Sequence, residues 1–158
     1  MDRQVEDHDG PIHAMSRQEQ MEFILDHYEN PRHKHEMEDA EAAVEGGNPG
    51  CGDIVKIYLK VDDAGRITAS FEGEGCTISQ ASASYLMDEV NGKTLEEALQ
   101  IDYNELMDGL GREIVQQRTR CATVSLDTLR AAIRKREREQ MLRDSFTNEH
   151  EHMVKFDH

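Results

Sequence analysis

The stretch Val55-Lys56-Ile57-Tyr58-Leu59-Lys60-Val61-Asp62-Asp63-Ala64-Gly65-Arg66-Ile67-Thr68-Ala69-Ser70-Phe71 decides the fold. Val55, Ile57, Leu59 and Val61 alternate with Lys56, Tyr58 and Lys60, the period-two pattern of a strand with one face buried. Asp62-Asp63-Ala64-Gly65 supplies a hairpin turn, and Ile67, Ala69 and Phe71 alternate on the return. The result is an antiparallel meander of two strands, or three if residues 40–44 pair at its edge. From Thr77 the pattern turns helical. Ile78, Ala81, Tyr85, Leu86 and Val90 recur at three- and four-residue steps, and Asn91-Gly92 ends the helix.

Helices bracket this sheet on both sides. Ser16 with Glu19 forms a capping box that opens a first helix, with Met21, Ile24, Leu25 and Tyr28 on one face. Asn30-Pro31 stops that helix. Thr94 with Glu97 and Asp102 with Glu105 repeat the capping signal for two short helices, the second limited by Gly109 and Gly111. Residues 122–143 read as a long last helix with Val124, Leu129, Ala132 and Ile133 toward the core. The order predicts an α+β fold: a small antiparallel three-stranded sheet packed against helices, with a long C-terminal helix. Residues 1–15 read as a disordered acidic tail, 16–143 as one domain and 144–158 as a polar C-terminal tail.

The composition bounds the function. The chain has 158 residues, 33 acidic against 18 basic, for a formal charge of −15. That charge argues against a nucleic-acid partner, which demands a basic face, and against a polybasic membrane-surface protein. No apolar run reaches the roughly 20 residues of a membrane span. The polar start is no signal peptide, so the expected location is the cytoplasm. Acid-rich composition with six Lys against twelve Arg suits a halophilic setting, the alternative being an acidic mesophilic protein with acidic tails. In molar salt the Debye length is about 3 Å and self-repulsion is screened.

Chemistry concentrates at three cysteines, Cys51, Cys76 and Cys121, spaced 25 and 45 residues apart. An odd count in a reducing compartment does not make a disulfide framework. Each cysteine stands at a junction between elements. Cys51 lies in the loop Asn48-Pro49-Gly50-Cys51-Gly52-Asp53. Cys76 follows Gly73-Glu74-Gly75 at a helix start, and Cys121 opens the last helix. Glycines let a backbone approach a metal closely, and a helix N-terminus favours thiolate over thiol. Asp53, two residues from Cys51, brings a carboxylate to the same region. Three thiolates and one carboxylate make a four-coordinate set suited to zinc or iron–sulfur chemistry. The carboxylate is the harder and more labile member. The bland alternative is three buried apolar cysteines. His33 and His35, and His150 and His152, read as solvated pairs. Gly73-Glu74-Gly75 lacks the third small residue of a dinucleotide loop, because Ile78 stands there.

These residues resemble the U-type iron–sulfur cluster scaffold proteins (NifU N-domain, IscU, SufU). The matching pieces, in the family's order, begin with Ile24-Leu25-Asp26-His27-Tyr28-Glu29-Asn30-Pro31-Arg32 and Gly47-Asn48-Pro49-Gly50-Cys51-Gly52-Asp53. Phe71-Glu72-Gly73-Glu74-Gly75-Cys76-Thr77-Ile78-Ser79 with Ala81-Ser82-Ala83-Ser84 follows. Asn91-Gly92-Lys93-Thr94 and Arg118-Thr119-Arg120-Cys121-Ala122-Thr123 complete the set. The motifs are closest to SufU-like members. The resemblance implies that Cys51, Asp53, Cys76 and Cys121 hold the metal or cluster. It also implies that sulfur arrives as persulfide from a cysteine desulfurase.

Two activities stay open. Some members build a transient [2Fe–2S] cluster and pass it to apo iron–sulfur proteins or a downstream carrier. Others hold Zn²⁺ and act as sulfurtransferases, accepting a persulfide. A structural zinc-binding adaptor is a third reading, and a metal-free redox thiol protein a fourth. The chain departs from the IscU pattern at Arg120, where that pattern has a histidine before the third cysteine. It also lacks the insertion usual in SufU and a Leu-Pro-Pro-Val-like chaperone motif, Val115-Gln116-Gln117-Arg118 standing in that region. With Zn²⁺ the four ligands leave a site charge of about −2. Arg118, then Arg120, is the candidate cation to offset it. Cys121 is the candidate sulfur acceptor, and Asp53 the residue that tunes lability.

Overall fold

The computed structural model describes residues 15–48 and 52–156, with side chains described through residue 146. Helix α1 (Arg17–Glu29) is followed by strands β1 (Ala42–Asn48), β2 (Asp53–Val61) and β3 (Ile67–Glu74). Then come α2 (Thr77–Val90), α3 (Leu95–Leu99), α4 (Tyr103–Leu110) and α5 (Arg112–Val115). A 3₁₀ turn (Gln116–Arg118) winds into the last helix, α6 (Thr119–Phe156). The expected α+β fold is what forms.

The sheet is an antiparallel meander in the order β1-β2-β3. Val44 pairs with Ile57, which pairs with Phe71, so apolar residues align across all three strands. Val55, Ile57, Leu59, Ile67, Ala69 and Phe71 are buried on one face. They join Leu86, Met87 and Val90 of α2 and Leu126, Leu129 and Ile133 of α6 in one core. The edge strand is real and longer than residues 40–44 suggested. It lies so close to α6 that a Cβ on Gly46 would fall 2.1 Å from Thr128 Oγ1. All three capping boxes form. Each cap side chain accepts from the backbone N–H three residues on, at 3.1 Å for Ser16, 3.1 Å for Thr94 and 2.7 Å for Asp102. Each such cap contributes about 1 kcal/mol.

The face of α1 that packs inward is not its apolar one. Ile24 is buried, but Met21, Leu25 and Tyr28 are 41, 39 and 43% exposed, while Gln20 and His27 are buried instead. Residues 20, 24 and 27 share one helical face, and their polar atoms are satisfied from afar. Gln20 Oε1 accepts from the Glu113 N–H at 3.1 Å and Nε2 donates to Met15 O at 3.0 Å. His27 Nδ1 lies 2.7 Å from Ser84 Oγ. A count of apolar residues alone selects the wrong stripe, because burial of a hydrogen-bonded polar group carries little penalty.

Helix α6 also starts earlier and runs farther than residues 122–143. No Gly or Pro follows Gly111, so no stop signal interrupts it. The N-terminal tail through residue 14, Cys51 and His158 lie outside the described residues, as do the side chains of His150 and His152.

His27 gives a pH prediction. It sits edge-on to Phe23 and Tyr85, with ring centroids 4.8 and 5.8 Å away. Burial pushes its pKa below the usual 6.5. Arg32 lowers it further, and Asp26 and Asp88 oppose the shift. The unfolded chain therefore binds a proton that the folded chain refuses. Stability is whole above pH 6.5 and falls as pH drops below it, by at most about 1.4 kcal/mol per pH unit for one such proton. Urea midpoints measured for wild type and His27→Phe across this range check it. The variant shows the flatter profile, and equal slopes would remove His27 from the account.

Candidate metal centre

Three elements end at one point. Asp53 is the first residue of β2 and is 2% exposed. Cys76 is the N-cap of α2. Cys121 sits in the first turn of α6 and is 1% exposed. One ligand atom from each lies within 4.8 Å of the other two. This is the one such group of three or more metal-binding side chains among the described residues.

The Asp53 carboxylate is held from both ends. Its Oδ1 accepts from the Cys76 N–H at 2.8 Å, and Oδ2 lies 4.0 Å from Cys76 Sγ. Burial alone would raise its pKa. The Cys76 N–H, then the Cys121, Ser79 and Cys76 side chains, outweigh burial and keep the carboxyl below its usual range. Asp53 is thus anionic at neutral pH, as a ligand must be. Gly75 makes the approach possible. Its φ is +142°, and a Cβ there would fall 2.3 Å from Asp53 Oδ1.

The donor set fits a soft divalent metal. Tetrahedral zinc with bonds of about 2.0–2.3 Å has ligand–ligand edges of about 3.3–3.8 Å. The observed spacing closes to that with shifts on the order of 1 Å. Cys51, the fourth expected ligand, lies outside the described residues. Of the pair read as solvated, His35 is exposed and His33 half-buried. His33 Nε2 lies 3.6 Å from Asp88 Oδ1, and His35 Nδ1 is 3.0 Å from Glu36 O.

Arg118 is exposed and lines a groove of about 350 Å³ together with Cys76, Met21, Leu25, Ile78 and Ile114. Exposed apolar residues of α1 therefore border the candidate metal centre. Arg120 is exposed on α6. Sequence reading missed Ser79 and Gln80 as a support beneath Cys76. Ser79 Oγ donates to Cys76 O at 3.0 Å, and Gln80 Nε2 donates to Ser79 Oγ at 3.2 Å. The signal was there, since Ser79 follows Cys76 by three residues, one helical turn.

This is a small α+β domain that gathers two cysteine thiols and a carboxylate, a set that could hold a metal ion, where three elements meet. The chain belongs to the NifU-like N terminal domain family, whose model matches residues 19–142. It is 37% identical over 110 residues to the iron–sulfur cluster assembly scaffold protein IscU 1 of Archaeoglobus fulgidus, 70% of this chain and 71% of that one. It is 37% identical over 133 residues to the zinc-dependent sulfurtransferase SufU of Bacillus subtilis, 73% of this chain and 90% of that one. Among solved structures it resembles one described as an iron–sulfur cluster assembly scaffold protein for the SUF system, from Fervidobacterium islandicum AW-1. The TM-score is 0.61 at 28% identity, covering 78% of this chain and 99% of that one. Among the described residues no helix is long and apolar enough to cross a membrane.

Proposed function

We propose that this protein accepts sulfur and assembles an iron–sulfur cluster on Cys51, Asp53, Cys76 and Cys121, then passes it to recipient apoproteins or a carrier. The convergence of Asp53, Cys76 and Cys121 carries this reading. The sulfur donor is a cysteine desulfurase in the cytoplasm. The Cys121 thiolate attacks the outer sulfur of the donor persulfide. The donor's S–S bond breaks, its thiolate leaves, and a persulfide remains on Cys121. Cys121 is buried and Cys76 half-buried, so transfer waits on opening of the ligand set. Arg118, beside Cys76 in the groove, offsets the negative site charge as the donor docks.

The zinc-dependent sulfurtransferase reading is favoured by one observation. Arg120 stays protonated and supplies no ligand beside Cys121. Four ligands and one metal then complete the site, with Zn²⁺ held until sulfur arrives.

One experiment separates these readings. The protein is purified anaerobically, and zinc, iron and acid-labile sulfide are measured per chain. The measurement is repeated after incubation with desulfurase and cysteine, with and without ferrous iron and a thiol reductant, which supplies the electrons that take persulfide sulfur to sulfide. An iron–sulfide chromophore after loading supports the scaffold. Zinc throughout, with a persulfide mapped to Cys121, supports the sulfurtransferase. Zinc with no persulfide on any cysteine overturns both and leaves a structural zinc adaptor.

A further inference from the structure

Beneath the candidate metal centre runs a polar chain that packing does not require. Ser79 and Gln80, at the start of α2, are 0 and 4% exposed. Gln80 Nε2 donates to Ser79 Oγ at 3.2 Å and reaches Ile54 O, next to Asp53, at 3.5 Å. Ser79 Oγ in turn donates to Cys76 O at 3.0 Å. The carboxamide therefore lies between the strand that carries Asp53 and the helix that Cys76 caps. Gly73 leaves room for it, since a Cβ there would fall 3.2 Å from Gln80 Oε1.

One end of that carboxamide is unpaired. Gln80 Oε1 is buried with no hydrogen-bond partner among the described residues. Turning the amide over gains nothing, because it sets oxygen against Ile54 O and leaves an N–H unpaired instead. A buried, unpaired amide atom is destabilising, and a methionine would fill the same space without one. The working part of Gln80 is then its N–H.

What that N–H does follows from the hydroxyl it meets. Ser79 has one proton to give, and because Gln80 donates to its oxygen, the proton points outward. Two acceptors lie in reach. One is Cys76 O, and the other is the Asp53 carboxylate, whose pKa the Ser79 side chain helps to lower. A carboxylate is the stronger acceptor while its charge is free, and loses that advantage when a cation engages it.

We propose that Gln80 is a positioning residue for ligand exchange: by keeping the Ser79 hydroxyl a donor, it gives the Asp53 carboxylate a second partner, beside the Cys76 N–H, off a bound metal ion. This rests on the reading that Asp53, Cys76 and Cys121 hold a metal. Gln80 acts only through Ser79, and Ser79 only through Asp53.

Zinc release from the full, zinc-loaded chain tests it, followed by stopped flow at chelator concentrations where the rate no longer depends on chelator. Gln80→Met keeps one zinc per chain and releases it about threefold more slowly. Its apo urea midpoint is no lower than wild type, because the unpaired oxygen leaves with the donor. Ser79→Ala slows release at least as much, and adding Gln80→Met to Ser79→Ala or to Asp53→Ala changes the rate no further. Wild-type release in Gln80→Met, or a lowered midpoint as its only effect, shows packing alone and overturns the proposal. So does a Gln80→Met effect that survives in either of those backgrounds. A wild-type chain that binds no stoichiometric zinc overturns the site reading as well, which sets that failure apart from the others.

Discussion

Cys76→Ser and Cys121→Ser, each alone, lower the affinity for Zn²⁺ by about two orders of magnitude or more and abolish a stable cluster. Serine keeps nearly the shape of cysteine, so the change isolates the ligand. A hydroxyl is not deprotonated at neutral pH as a coordinating thiol is, and it is a poor soft ligand. Cys121 is buried in the first turn of α6, and Cys76 caps α2, so both sulfur positions are set by the backbone. A chelator competition at fixed pH reads the affinity, and far-UV circular dichroism checks the fold. Binding equal to wild type in either variant would remove that thiol from the ligand set. The metal-free fold should persist, because the buried cluster around Ile57, Phe71, Leu86 and Leu129 does not include the centre.

Sequence and structure part company in instructive places. The alternation over Val55–Val61 and Ile67–Phe71 was legible because a half-buried strand writes its burial as a two-residue period. The capping boxes were legible because each is closed within four residues. The site was half legible for a related reason. Cysteines beside glycines at the ends of elements signal junctions, and junctions are where chain segments from afar can meet. That Asp53, Cys76 and Cys121 do meet is set by the β2–β3 register, which pairs Ile54 with Glu74, and by the docking of α6 against α2.

The stripe on α1 was not legible. Gln20 and His27 are buried by Glu113 and Ser84, partners 93 and 57 residues away. No window along the chain contains both members of either pair. Met21 and Leu25 are the apolar lip of the groove beside Cys76. An exposed apolar rim next to the proposed transfer site suits docking of the proposed sulfur donor.

Asp53 carries the second large expected effect, because its two oxygens do different work. Oδ1 accepts from the Cys76 N–H and anchors the start of α2, while Oδ2 faces Cys76 Sγ at 4.0 Å. The carboxylate is the one hard, leaving member of the proposed ligand set. Off a bound metal it would still accept from the Cys76 N–H, so it would be the ligand most easily exchanged for an incoming thiolate. Asp53→Ala removes that exchange. The expected result is a metal or cluster that persists about tenfold longer against a competing thiol or apoprotein, held by three thiolates. The apo protein loses about 1–3 kcal/mol, since the Cys76 N–H is left without its acceptor. Asp53→Asn separates the two roles: its amide oxygen keeps the anchor and recovers the stability, while its neutral head remains a poor ligand. Transfer kinetics and urea midpoints of the two variants read the two oxygens independently. If Asp53→Ala loses all metal and behaves like Cys51→Ala, the carboxylate is an obligatory ligand and the assignment of lability to it fails.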